Sequence, residues 1–177
     1  MIYTRKGDKG ESEIFRGGKF SKDNQIFEVL GVLDEVNSLI GVCKTKAENF
    51  DEKINDLKLE EILEKIQKDL FIIQSQIAGA DREIKEEEIK WLEENIDFVE
   101  AQIPKLKNFV MASGSELAVN LNYTRSIVRK AERRIVFFNK NQKSDLNILI
   151  YINRLSDLFF ILFRFVNFKN RFGEKYF

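Results

Sequence analysis

A chain of 177 residues suffices for one domain with a sizeable core, and its 29 basic and 29 acidic side chains cancel, which argues against a general nucleic-acid-binding surface. Histidine is absent and Cys43 is the single cysteine, so Ser-His-Asp and Cys-His catalysis, a Cys/His zinc site and an internal disulfide are excluded. With no secretory apolar segment at the start and no long uncharged apolar run, the expected setting is a reducing cytoplasm, without a membrane partner.

Residues 1–24 are the longest stretch without a helical pattern. Met1 to Thr4 is predicted as a short strand, followed by Gly7, Gly10, Gly17 and Gly18 among Arg5, Lys6, Lys9, Arg16, Lys19 and Lys22. Glycine lets a backbone wrap closely around an anion, and the interleaved cations supply charge. The segment lacks the P-loop pattern, and by itself it reads equally well as a mobile basic N-terminus. Helix one is predicted over Gln25 to Glu48, with a seam of Ile26, Val29, Leu33, Val36, Ile40 and Cys43. Asp34 lies off that seam and on its own reads as an exposed helical acid. Helix two, Lys58 to Ala80, is carried by Leu59, Ile62, Ile66, Leu70, Ile73 and Ile77. Helix three, Lys85 to Gln102, is acidic on its outer surface and stops ahead of Pro104. Lys105 to Ala112 is a loop that contains the apolar run Phe109-Val110-Met111.

The fourth helix is predicted to run to Asn139 from a capping box in Ser113-Gly114-Ser115-Glu116. Leu117, Leu121, Thr124, Val128, Ala131, Ile135 and Phe138 alternate at four and three residues, the seam of a packed helix. Beside it runs a second stripe of Arg125, Arg129, Glu132 and Arg133. Such a helix is half core and half anion site; the plain alternative is a solvated charged face. The fifth helix has the seam Ile148, Ile152, Leu155, Phe159, Leu162 and Val166. A parallel stripe, Leu146, Ile150, Asn153, Asp157, Phe160 and Arg164, sets two polar groups between large apolar ones, where burial requires partners. The two helices read as two walls of a site. The tail, Phe168 to Phe177, is aromatic and basic and has no predicted place. The expected fold is all-α, an up-and-down five-helix bundle with a glycine-rich, largely non-helical N-terminal loop. It divides into loop 1–24, bundle 25–167 and tail 168–177 of one domain.

Five blocks together resemble the PduO-like ATP:cob(I)alamin adenosyltransferases, the corrinoid adenosyltransferases. They are Tyr3 to Gly10 with Gly17-Gly18-Lys19, Leu30 to Ser38, Phe109 to Ser115, Arg125 to Arg134, and Tyr151 to Asp157. They fall in family order over nearly the whole chain. The resemblance implies a ferritin-like, cobalamin adenosyltransferase-like bundle that assembles as a homotrimer with active sites between subunits. It implies transfer of the 5′-deoxyadenosyl group of ATP to the cobalt of cob(I)alamin, with release of triphosphate. Thr4, Arg5, Gly7, Asp8, Lys9 and Gly10 with Lys19 and Lys22 would wrap the triphosphate. Arg129 would contact phosphate, and Glu132 and Asn153 would complete the ATP site. Arg125 would pair with Asp34 of a neighbouring subunit. Phe109, with Val110 and Met111 beside it, would press on the lower face of the corrin and displace its axial ligand. Mg²⁺ would travel with ATP, held mainly by the phosphates and by no assigned protein ligand. The resemblance also implies a reductase that supplies Co(I) and an adenosylcobalamin-dependent acceptor enzyme as partners.

The chemistry suits the composition. Co(I) is itself a strong nucleophile, so attack on a ribose carbon requires no general base and a chain without histidine loses nothing. The protein must position the reactants and neutralise the leaving triphosphate, work for Arg, Lys and backbone amides. Four residues depart from the family pattern: Glu11 for Thr beside the phosphate loop, Ala112 for Pro, Ser115 for Gly, and Asn122 where His is frequent. The other function these motifs allow is a non-catalytic trimeric bundle that binds ATP or corrinoid as a carrier or sensor. A structural trimer with a solvated arginine face is disfavoured by Asn153 and Asp157 within an apolar stripe.

Overall fold

The apolar seams become helices almost where their spacing puts them. In the computed structural model, which describes residues 2–140 and 145–177, these are α1 Gln25–Ala47, α2 Leu59–Ile77, α3 Glu86–Glu100, α4 Glu116–Asn139 and α5 Leu146–Lys169. Each helix start satisfies orphan amides with a side chain, a device worth about 1 kcal/mol per cap. Asn24 Oδ1 accepts from the Ile26 amide at 3.1 Å, and Asp145 Oδ1 accepts from Asn147 at 2.9 Å. At α2 and α3 the Glu61 and Glu88 carboxylates reach back to the amides of Lys58 and Lys85. The start of α4 differs from expectation. Its cap is Ser115, whose hydroxyl accepts from the Ala118 amide at 3.3 Å, not Ser113. Ser113 is instead tied by its carbonyl to α5, which moves the first helical turn two residues along.

In the bundle, α4 lies against both α1 and α5, α2 packs on α1, and α3 packs on α5. The predicted seams of α1, α4 and α5 are buried throughout. Each fully buried Leu, Ile or Phe contributes roughly 1.5–3 kcal/mol, so the seams rather than helix propensity hold the fold. Thr124, the polar member of the α4 seam, is satisfied by donating to the Asn120 carbonyl at 2.9 Å. By length and composition α5 could cross a membrane, with a mean hydropathy of 1.6 over its most apolar stretch. Here it is the interior helix: from Ile161 to Asn167 every residue is buried, as a helix surrounded by others must be. Its Tyr151 donates to Asp69 of α2 at 3.0 Å, and Lys65 holds the same carboxylate at 2.8 Å.

Short strands are the main departure. The strand expected over Met1 to Thr4 does not form among its described residues, and Met1 lies outside them. An antiparallel hairpin appears later, β1 Glu11–Glu13 with β2 Lys19–Ser21, inside the stretch expected to be irregular. A second hairpin, β3 Lys53–Ile54 with β4 Leu57–Lys58, joins α1 to α2. Its two-residue turn, Asn55-Asp56, has φ of 47° and 64°. Two left-handed residues match the right-handed twist of the strands, and Asn and Asp tolerate that region best after glycine. The tail also has a place. Val110 and Tyr176 form an antiparallel bridge, so the last residues lie along the loop between α3 and α4.

Candidate active site

On α4, the stripe beside the buried seam is open to solvent at Arg129 and Arg133 and half-buried at Arg125 and Glu132. Arg129, Glu132, Arg133, Val136, Phe137 and Lys140 line a cleft of about 400 Å³. Packing of α5 on α4 sets Asn153 beside it, and Asn153 Nδ2 donates to Glu132 Oε1 at 2.9 Å. The other end of that amide accepts from Arg154 Nη1 at 3.2 Å, while Arg154 Nε donates to Glu93 of α3 at 2.8 Å. A relay from α3 through α5 to α4 therefore fixes the Asn153 amide and aims the Glu132 carboxylate. Arg154 and Glu93 were not singled out in the sequence, because an Arg and a Glu 61 residues apart carry no local pattern. Asp157, expected to be buried with Asn153, is instead exposed. Its carboxyl is nevertheless pushed above the ordinary range, by partial burial first and by the Glu132 charge, against the opposing pull of Arg154 and Arg129.

Arg125 sits one turn before Arg129. Its Nε donates to Asn122 Oδ1 at 2.9 Å and its guanidinium lies 5.6 Å from the centre of the Phe160 ring. Burial, and then the Arg129 charge, make its protonated form harder to hold than usual. Asn122, where the family frequently has His, thus keeps the acceptor that orients Arg125. Asp34 is exposed on α1 and makes no hydrogen bond or ion pair among the described residues. The two do not meet within one chain. Their neighbours on α1 and α4 do: Lys130 binds Glu35 at 2.8 Å, and Arg134 lies 3.9 Å from Glu28.

The N-terminal loop makes a separate cleft of about 230 Å³, lined by Thr4, Lys6, Gly7, Glu11, Ser12, Glu13 and Lys19. It shares no residue with the α4 cleft. Gly10, at φ of 78°, takes a left-handed turn that closes the loop, and its carbonyl accepts from the Lys22 amide at 2.8 Å. The Lys22 side chain folds over Gly7, so close that a Cβ on Gly7 would come within 3.1 Å of its ammonium. The hairpin brings Glu11 to 3.9 Å from Lys19, so this departure from the family pattern occupies one of the cations expected for phosphate. Arg5, also left-handed, stacks 5.4 Å from the Tyr3 ring, while Asp8 and Lys9 are exposed.

A third group lies between α3 and α4. Phe109 is 85% exposed, Met111 is 38% exposed, and Val110 packs partly on the core. Phe109 therefore does not plug the end of its own bundle. An apolar ring this exposed is unfavourable unless something covers it.

A family model described as cobalamin adenosyltransferase matches residues 2–166. A corrinoid adenosyltransferase of Bacillus subtilis is 37% identical over 98% of this chain and 90% of its own length. The corrinoid adenosyltransferase of Homo sapiens is 35% identical over 98% of this chain and 72% of its own length. Among solved structures, a phenylalanine-to-histidine variant of a PduO-type ATP:corrinoid adenosyltransferase from Lactobacillus reuteri, complexed with cobalamin and ATP, superimposes with a TM-score of 0.91. It is 32% identical, and the match covers 100% of this chain and 96% of that one. An arginine-to-lysine variant of the same enzyme, complexed with ATP, gives a TM-score of 0.88 at 32% identity over 99% of both chains.

Proposed function

This chain belongs to the cobalamin adenosyltransferase family, and we propose from that membership that it moves the 5′-deoxyadenosyl group of ATP onto the cobalt of cob(I)alamin, releasing triphosphate. The observation that carries the reading onto particular residues is the α4 cleft. Arg129, which makes no hydrogen bond or ion pair among the described residues, stands there beside a Glu132 carboxylate aimed by Asn153. In the transfer the cobalt electron pair attacks the ribose C5′ carbon and the C5′–O bond breaks. The chain's own part is to hold both substrates in line and take up the charge that develops on the triphosphate. Arg129 meets phosphate, and Glu132 with Asn153 fixes the nucleoside end. Thr4, Arg5, Gly7, Asp8, Lys9, Gly10, Lys19 and Lys22 wrap the phosphates from a second subunit. Phe109, with Val110 and Met111, lies under the corrin. Mg²⁺ neutralises phosphate charge when bound with ATP. Glu132 and Asp157, the first of which helps raise the carboxyl of the second, supply carboxylate oxygens that suit an ion otherwise held by phosphate oxygens. A cytoplasmic location, a reductase that supplies Co(I) and an acceptor for the adenosylated product complete the reading. The test is ATP with chemically reduced cob(I)alamin. Catalytic formation of the Co–C bond, seen as the spectral change on adenosylation, is expected; stoichiometric binding alone would make the chain a carrier.

The separate clefts favour a site completed between subunits, and so does Asp34, exposed and without a partner among the described residues. We expect a trimer by light scattering at micromolar concentration, with Asp34 of one subunit against Arg125 of the next. A charge-assisted hydrogen bond of this kind contributes about 1.5–3 kcal/mol, so Arg125→Ala should weaken assembly and activity together. A monomeric and active protein would overturn the pairing.

The N-terminal loop should gain order with its ligand. Few of its side chains are buried, and its glycines broaden the free ensemble that the phosphates must narrow. Hydrogen exchange over Thr4 to Lys22 should slow on adding MgATP. Equal exchange with and without it would separate this loop from the nucleotide.

A further inference from the structure

The last four residues have no part in the reading above, yet they are built into the loop that carries Phe109. The Met111 amide donates to the Lys175 carbonyl at 2.7 Å, and the Phe177 amide donates to the Phe109 carbonyl at 3.2 Å. Between these bonds Val110 faces Tyr176 across the antiparallel bridge. The pairing is anchored from the interior. Arg164 of α5 is only 3% exposed, and its Nε donates to Glu174 Oε1 at 2.6 Å while its Nη2 donates to the Pro104 carbonyl at 2.7 Å. One buried guanidinium thus holds both the start of the loop and the start of the tail segment. Glu174 Oε2 also accepts from the Tyr176 hydroxyl at 2.6 Å, which ties the Tyr176 side chain to the same anchor. Burial raises the Glu174 carboxyl, but its bonds to Arg164 and Tyr176 outweigh this and hold it below the ordinary range.

The far end of the loop is fixed by the same helix. Asn167 donates to the Ser113 carbonyl at 2.8 Å and accepts from the Ser115 amide at 3.1 Å. Gly114, at φ of 125°, allows that approach; a Cβ there would lie 1.9 Å from the Asn167 oxygen. The loop is therefore pinned at both ends by α5 and braced in the middle by the tail, while its Phe109 ring is left free to solvent. A loop that served only to connect α3 to α4 would not need its exposed middle held this way. Such bracing is what presents an apolar side chain at a set height without burying it.

We infer that the Arg164–Glu174 pair and the segment Glu174–Phe177 are a positioning strap for Phe109, and so govern the corrinoid half of the reaction while leaving the ATP half untouched. The inference rests on the corrinoid role proposed for Phe109. Apart from Arg164, the strap lies beyond residue 166, where the family model's match ends.

The test compares the full chain with a truncation after Gly173, a truncation after Lys175, Phe109→Ala, and each truncation combined with Phe109→Ala. The truncation after Lys175 keeps Glu174 on Arg164, so it stays informative if loss of Glu174 strands a buried charge and impairs folding. Without the strap, the KM for corrinoid should rise on the order of tenfold while the KM for ATP stays within about twofold. Amide exchange at Met111 should quicken in the truncation after Gly173, which removes the Lys175 carbonyl that the amide bonds. If the strap acts through Phe109, adding Phe109→Ala should cost little more than Phe109→Ala alone, because coupled residues are not additive. Corrinoid and ATP parameters falling together, or additive losses, would make the tail a general structural element and overturn the strap. If Phe109→Ala slows the reaction but the truncations do not, the strap alone is wrong. If Phe109→Ala is itself without effect, the underlying role of Phe109 fails instead.

Discussion

Replacing Phe109 by alanine should leave the fold and ATP affinity near those of the parent protein while strongly slowing adenosylation that starts from Co(II). The ring is 85% exposed, so its removal opens no cavity, and the roughly 3–5 kcal/mol lost in a core Phe→Ala change should not appear. On the role proposed for it, what the ring supplies is volume below the cobalt. Filling that volume keeps out a water or the nucleotide base as lower ligand, and Co(II) without that ligand is easier to reduce. Emptying it lets the ligand return. With corrinoid reduced beforehand to Co(I), which holds no lower ligand, the loss should be much smaller. Each tenfold separation between the two assays corresponds to about 1.36 kcal/mol of stabilisation that the ring confers only on the step through Co(II). The check is one preparation assayed both ways, beside a thermal melt. Equal slowing in both assays, or a protein that unfolds, would refute the role.

Arg129→Ala should cost about 1.5–3 kcal/mol in use of ATP, on the order of ten- to a hundredfold in apparent affinity, turnover or both. The side chain is exposed and makes no hydrogen bond or ion pair among the described residues, so stability should hardly change. Arg125, half-buried on Asn122 and Phe160, is the contrasting case in which fold and assembly are also at stake. Arg129→Lys should recover part of the loss, because it restores the charge without the planar fork that grips phosphate. Steady-state kinetics with ATP varied, alongside a melting curve, decide the matter. A folded Arg129→Ala protein of full activity would return the α4 stripe to a solvated surface.

The spacing of apolar residues by itself determined the five helices, because a buried seam is a local pattern. Positions such as Leu117, Leu121, Val128 and Ile135 alternate at three and four residues whatever they pack against. The same locality placed Arg125, Arg129 and Glu132 on one face, and five short blocks carried the family. The short elements were less visible. Three-residue strands such as Glu11–Glu13 have no room for a period, and between Ser113 and Ser115 the choice of cap depended on what α5 offered. What only the tertiary structure decided are the contacts between residues far apart in the chain. Asn153 meets Glu132 through the Arg154–Glu93 relay, Asn167 reaches back to Ser113, and Arg164 gathers Pro104 and Glu174. The tail pairs with the Phe109 loop through backbone amides and carbonyls, which every residue except proline carries alike. Such bonds leave no mark on the sequence, so the tail's place could come only from how α5 ends beside that loop.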